Sequence, residues 1–157
     1  MAGMHHGPPL DAGPDTAEAR TVQRFRGLGR SRPLYLTVLG LAAVAALVAG
    51  TPTVWFGPLV PSVVSADGPA ALLLVASAGA LAMVGRARLA ALGRGTTPAD
   101  VPVLGLLAEA GIRLLAASGA YRGDGALTLL YLGPIAWFMV IGGIAWLAVI
   151  EASSGRG

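Results

Sequence analysis

The sequence predicts an all-α integral membrane protein, a bundle of four transmembrane helices preceded by a short amphipathic helix. Of its 157 residues, 55% are hydrophobic and only 12% are charged. A soluble domain carries about 25% charged residues, so this chain has too few to cover a globule with polar surface. The charges also flank long uncharged runs, which is the distribution typical of a protein that crosses a bilayer.

Four apolar segments have close to the twenty or so residues that a spanning helix requires. They are residues 34–50, 69–85, 101–120 and 127–150. The second starts at Pro69, and the third is predicted to have Asp100 as its N-cap and Pro102 in its first turn. Residues 1–33 then form a polar N-terminal tail and residues 151–157 a polar C-terminal tail.

The third segment differs from the others because it contains Glu109 and Arg113. Side chains four residues apart share a helix face, so the two can pair, and pairing lowers the free energy needed to insert each of them. Ala116 and Ala120 extend the same narrow stripe, a pattern that favours a helix packed inside a bundle over one lying in the membrane plane. Three spans are the alternative count.

The positions of the arginines predict the orientation. The N-terminal tail contains Arg20, Arg24, Arg26, Arg30 and Arg32. Arg86, Arg88 and Arg94 fall in the predicted loop 86–100, whereas residues 51–68 contain no arginine. Arginine accumulates on the cytoplasmic side, so we expect a multi-pass plasma-membrane protein with a cytoplasmic N-terminus. The chain has no Lys or Asn, which indicates a bacterial, GC-rich genome.

The end of the N-terminal tail is predicted to be a short, basic amphipathic helix over residues 15–28. Asp15 and Glu18 have the spacing of a capping box, and Arg20 and Arg24 share one face. Because they lie just before the first span, the tail arginines are expected to contact anionic phospholipid headgroups or a partner subunit. Phospholipid is therefore the predicted small-molecule partner.

Aromatic and small residues mark further contacts. Trp55, Phe56, Trp137 and Trp146 are predicted interfacial or packing aromatics, because tryptophan and other aromatic rings are common at headgroup level. The Gly142-Gly143 pair permits another helix to approach closely.

The sequence offers no catalytic constellation. It contains no Cys, and its two His residues, His5 and His6, both lie in the N-terminal tail. No phosphate-binding loop, dinucleotide-binding glycine motif or zinc-protease motif is present. The arginines flank apolar runs instead of lining one polar surface, which argues against nucleic-acid binding. We therefore predict no enzymatic activity, no directly bound cofactor and no metal site.

These observations predict a non-catalytic accessory subunit of a larger hetero-oligomeric membrane complex, such as a respiratory or other electron-transfer complex. Glu109 and Arg113 would form an intramembrane ion pair or a contact with another subunit. The alternative is a small homo-oligomeric transporter or channel, in which Glu109 titrates or binds an ion and Arg113 tunes it.

Overall fold

The structure is a computed structural model that describes Gly27 and residues 29–50, 67–118 and 125–155. Within these ranges the chain is helical and contains no strand, which confirms the predicted all-α class. The helices are α1 (Arg32–Ala49), α2 (Asp67–Ala91), α3 (Thr97–Ala117) and α4 (Gly125–Ser154).

Among the described residues, three helices are long and apolar enough to cross a membrane, which is consistent with a membrane protein. They comprise Arg32–Ala49, Gly68–Ala91 and Leu132–Ser154, with mean hydropathies of 1.8, 1.8 and 2.0. Helix α3 is not among them, because every 18-residue stretch of it contains Asp100, Glu109 and Arg113.

The four helices pack in a ring in which α1 contacts α2, α2 contacts α3, α3 contacts α4, and α4 returns to α1. Large buried side chains from all four fill the centre: Tyr35, Leu74, Leu81, Leu106, Val140 and Leu147. Successive helices run in opposite directions, since the start of α1 meets the ends of α2 and α4. We call the end of the bundle where these three helix termini meet the arginine end.

Two helices continue beyond their predicted spans at the arginine end. Helix α2 passes through Arg86 and Arg88, which the sequence had placed in a loop, and ends at Ala91, followed by a turn at Gly93. Gly93 has a φ of +67°, and the following Arg94 N–H donates to the Leu89 carbonyl at 2.9 Å. The left-handed glycine and the hydrogen bond from Arg94 to Leu89 form a Schellman motif, which provides hydrogen-bond donors for the last carbonyls of α2. Helix α4 likewise continues to Ser154, so Glu151 is helical.

Helix α3 begins earlier than predicted, and this changes the roles of two residues. Because it starts at Thr97, Asp100 lies in its first turn and is not the N-cap, and Pro102 lies inside the helix. Pro102 is fully buried. Its ring packs against α4 at Gly143, where a Cβ would lie 2.5 Å from the Pro102 Cδ.

A second glycine brings α3 and α4 together one turn further along. A Cβ on Gly105 would lie 2.8 Å from the Ala136 carbonyl oxygen and 2.9 Å from the Val140 nitrogen. The backbones are therefore too close at this point for any side chain larger than hydrogen. The sequence predicted that another helix approaches closely at Gly142-Gly143. Only one of the two glycines makes such a contact within the described bundle: Gly143 contacts α3, while Gly142 has open space beside it.

We predict that Gly143→Ala destabilises the bundle by about 1–3 kcal/mol, because the new methyl group overlaps the buried Pro102 ring. Gly142→Ala is the matched control, and we expect it to be neutral or slightly stabilising, since alanine favours an exposed helical site. Unfolding of the purified protein in detergent measures both. Equal effects at the two positions would contradict the close α3–α4 contact.

Candidate functional site

The carboxylate of Glu151, near the end of α4, is the centre of a charged cluster at the arginine end. Arg88 from α2 grips it with two bonds, Nε to Oε2 at 3.0 Å and Nη2 to Oε1 at 2.7 Å. Arg32 at the start of α1 places its Nε 3.0 Å from Oε1. The Glu151 side chain is only 4% exposed, so this fork-on-fork pairing compensates a carboxylate removed from water.

The Glu151 cluster, comprising Arg32, Arg88 and Glu151, also holds the chain that enters α1. Arg88 donates from Nη1 to the Gly29 carbonyl at 3.2 Å, so one guanidinium bonds to both α4 and the segment before α1. One turn deeper, the buried Tyr35 hydroxyl donates to the Leu147 carbonyl at 3.5 Å. Arginine, glutamate and tyrosine side chains therefore fix the start of α1 to α2 and α4.

Sequence reasoning missed Glu151, which it assigned to the polar C-terminal tail. The signal that could have found it is topological. In an antiparallel four-helix order, the start of the first helix and the ends of the second and fourth lie at the same face. Arg32, Arg88 and Glu151 stand at those three places, and opposite charges there can pair.

A second ion pair at the arginine end joins α2 to α3. Arg86 donates from Nε to Asp100 Oδ1 at 2.8 Å, and its Nη2 lies 2.8 Å from the same oxygen. The Arg86 side chain is 55% exposed, so solvent screens the pair and its contribution to stability is small.

At the opposite end of the bundle, Arg113 of α3 binds the C-terminus of α1. Its Nε donates to the Ala49 carbonyl at 2.8 Å, and its Nη2 donates to the Gly50 carbonyl at 3.0 Å. The last carbonyls of a helix have no intrahelical donor, and they carry the negative end of the helix dipole. The buried guanidinium of Arg113 supplies both the missing hydrogen-bond donors and a positive charge. Arg113 therefore acts as a C-cap for α1 that comes from another helix.

Glu109 lies one turn before Arg113 on α3 and is fully buried. The structure thus places both sequence-predicted residues on the inner face of α3, as the stripe indicated. It adds a contact that the sequence did not predict, the bonds from Arg113 to α1. The predicted pairing of Glu109 with Arg113, or of either with another subunit, stays a prediction.

The other predicted site residues fall in three groups. Arg20, Arg24, Arg26, Trp55, Phe56 and most of the predicted amphipathic helix 15–28 lie outside the described residues. Arg30 is exposed, and Arg32 belongs to the Glu151 cluster. On α4, the Trp137 ring meets Phe138 edge-on at 5.7 Å between centroids, while Trp146 is exposed on the outer surface.

The outer surface carries an apolar groove between α1 and α2. We call it the α1–α2 groove, and its volume is about 280 Å³. Small residues predominate among its lining side chains, which are Val38, Leu41, Ala42, Val44, Ala45, Leu73, Ala76, Ser77 and Ala80. A second hollow of about 370 Å³, lined by Ala82, Met83, Arg86 and Ala87, lies further along α2 toward the arginine end.

The described charged groups can therefore fasten helices together and present arginine at one end. In the described ranges, no group of three or more His, Cys, Asp or Glu residues is placed to hold a metal ion. Comparison of the chain with protein-family models, with curated proteins and with solved structures finds no match.

We predict that Glu151→Gln destabilises the bundle by about 2–3 kcal/mol, because Arg88 stays largely buried without its charged acceptor. Arg32→Gln should have a smaller effect of at most about 1 kcal/mol, since more than half of its side chain is exposed. The measurement is unfolding in detergent, with the exposed Arg94→Gln as the control. If Glu151→Gln changed the free energy of unfolding no more than Arg94→Gln, the stabilising role of the Glu151 cluster would be contradicted.

Proposed function

We propose that this protein is a four-span, non-catalytic accessory subunit of a larger plasma-membrane complex, such as an electron-transfer complex. The observation that carries the proposal is the use of its buried charges. Arg88 with Glu151 joins α2 to α4, and Arg113 joins α3 to α1. A catalytic or transporting group must meet a substrate, whereas these side chains hold helices in fixed positions. An apolar bundle whose helices are joined in this way suits a role in assembly.

The placement of α3 supports a fourth span. Asp100 contacts Arg86 at the arginine end and Arg113 contacts α1 at the other, about 20 Å away at 1.5 Å per residue. Helix α3 therefore runs from the arginine end to the opposite end of the bundle, packed against α2 and α4. Its charged Glu109 and Arg113 face inward, while leucines are exposed on its outer side: Leu104, Leu107, Leu114 and Leu115. A helix lying flat on a membrane would instead turn its polar face to water.

The arginine end suits the cytoplasmic face. Of the arginines in the described ranges, all but Arg113 lie at or next to this end: Arg30, Arg32, Arg86, Arg88 and Arg94. The excess of arginine on one side sets the orientation of a multi-pass protein. Both the start of α1 and the end of α4 would then face the cytoplasm.

The outer face of α4 is the surface that we propose for a partner subunit. Phe138 and Trp146 are 67% and 48% exposed, and Gly142 lies midway between them with open space beside it. Ile135 and Val149 continue the same exposed stripe. A small residue between two aromatic rings allows a neighbouring helix to approach the backbone while the rings enclose it.

Cysteine accessibility tests the topology, and the chain suits it because it contains no Cys. With four spans, we expect Thr96→Cys and Ser154→Cys to react only from the cytoplasm and Ser118→Cys only from outside. With α3 outside the bilayer, Ser118→Cys would react from the cytoplasm and Ser154→Cys from outside. Thr96→Cys reads the same in both cases and serves as the control.

Purification from native membranes tests the accessory role. We expect the tagged chain to be recovered in mild detergent in a fixed ratio with at least one other membrane protein. A photo-crosslinker at Phe138 should attach to that protein, whereas one at Leu72, which is 72% exposed on α2, should not. Recovery of the chain alone, or crosslinks to further copies of itself only, would contradict the proposal and favour the homo-oligomeric alternative.

A further inference from the structure

We propose that the α1–α2 groove is a binding site for an anionic phospholipid of the leaflet at the arginine end. One acyl chain would lie in the groove, and the phosphate would lie at Arg86 and Arg30. The inference rests on the proposed orientation of the bundle, and it is independent of whether a partner subunit exists.

The groove has the depth that an acyl chain requires. Its α2 lining runs from Ala80 to Leu73, which lie about 9 and 20 Å from Arg86 along the helix at 1.5 Å per residue. The hydrocarbon of one leaflet is about 15 Å deep. With Arg86 at headgroup level, the groove therefore starts within that leaflet and ends close to the middle of the bilayer.

The two hollows follow each other along α2 toward the arginine end. Ala80, Met83 and Ala87 follow one another at spacings of three and four residues, so they lie on one face of the helix. Ala80 belongs to the α1–α2 groove, and Met83 and Ala87 belong to the second hollow. Arg86 also lines the second hollow, so a guanidinium borders it.

The charge at this end selects an anionic headgroup. The Arg86 side chain is 55% exposed, and it bonds to Asp100 through Nε and Nη2. Arg30 is also exposed, and it follows Gly29, which packs against the α2 backbone at Ala87. Two exposed arginines, Arg86 and Arg30, therefore adjoin in sequence the contact between Ala87 and Gly29, and Ala87 lines the second hollow. Guanidinium groups donate to phosphate oxygens in a fork geometry, and each arginine near a surface strengthens binding to anionic lipid.

Small side chains give the groove its shape. Ala42, Ala45, Ala76 and Ala80 leave space where larger residues would fill the outer junction of α1 and α2. Ala76 is exposed, so enlarging it fills the groove without disturbing the core. This position allows the lipid to be displaced while the bundle stays folded.

Native mass spectrometry of the full-length protein, delipidated in mild detergent, tests the site. The probes are phosphatidylglycerol and phosphatidylcholine with identical acyl chains. We expect retention of phosphatidylglycerol in preference to phosphatidylcholine, and Arg86→Gln and Arg30→Gln should each weaken it about fivefold. Arg94→Gln, in the loop after α2, is the matched control.

The groove itself is tested by Ala76→Leu, with Ala145→Leu on the exposed face of α4 as its control. We expect Ala76→Leu to reduce phosphatidylglycerol retention and Ala145→Leu to leave it unchanged, while both variants keep the unfolding temperature of the parent. Equal retention of the two lipids would overturn the proposal. So would equal retention by the two leucine variants, or a photo-crosslinker at Ala76 that captures protein and no lipid.

Failure of this proposal can be told apart from failure of the proposed function. A chain that is purified alone but retains phosphatidylglycerol through Ala76 and Arg86 would lose the accessory role and keep the lipid site. A chain recovered in a complex with no preference between the lipids would do the reverse.

Discussion

A charged side chain that is removed from water must recover its lost hydration from the protein, and this requirement shapes the whole bundle. Glu151 meets it by accepting from Arg88 and lying against Arg32. Arg113 meets it by donating to the two carbonyls at the end of α1. Each solution uses a partner on a different helix. The groups that are hardest to bury are therefore the ones that fix the positions of the helices.

These contacts join different sets of helices at the two ends of the bundle. At the arginine end, the Glu151 cluster connects α1, α2 and α4, and the Arg86–Asp100 pair adds α3. At the other end, the guanidinium of Arg113 connects α3 to α1. Between the ends, α3 and α4 are held by close backbone approach at Gly105 and Gly143. Polar bonds therefore set the register at the ends, and small residues set the spacing between them.

The position of α3 explains how a helix with three charges can belong to an apolar bundle. Its first charge, Asp100, lies at the arginine end beside Arg86. The other two, Glu109 and Arg113, face inward and are buried. Leucine side chains then occupy its outer face, so this face matches those of the more apolar helices. The mean hydropathy of a segment does not reveal this arrangement, because it averages over faces that meet different surroundings.

The sequence by itself determined the all-α class and the existence of each helix, because apolar runs of about twenty residues are the length at which a helix crosses a bilayer and satisfies its own backbone polar groups. It also predicted the inward stripe of Glu109 and Arg113 from helical periodicity. It misplaced the helix ends, since Arg86, Arg88 and Glu151 read as loop or tail residues when each is considered alone. Only the tertiary structure decided their roles. Ion pairs such as Arg88–Glu151, and the cap that Arg113 provides for α1, join residues far apart in the chain, and they form only where packing brings complementary groups within bonding distance.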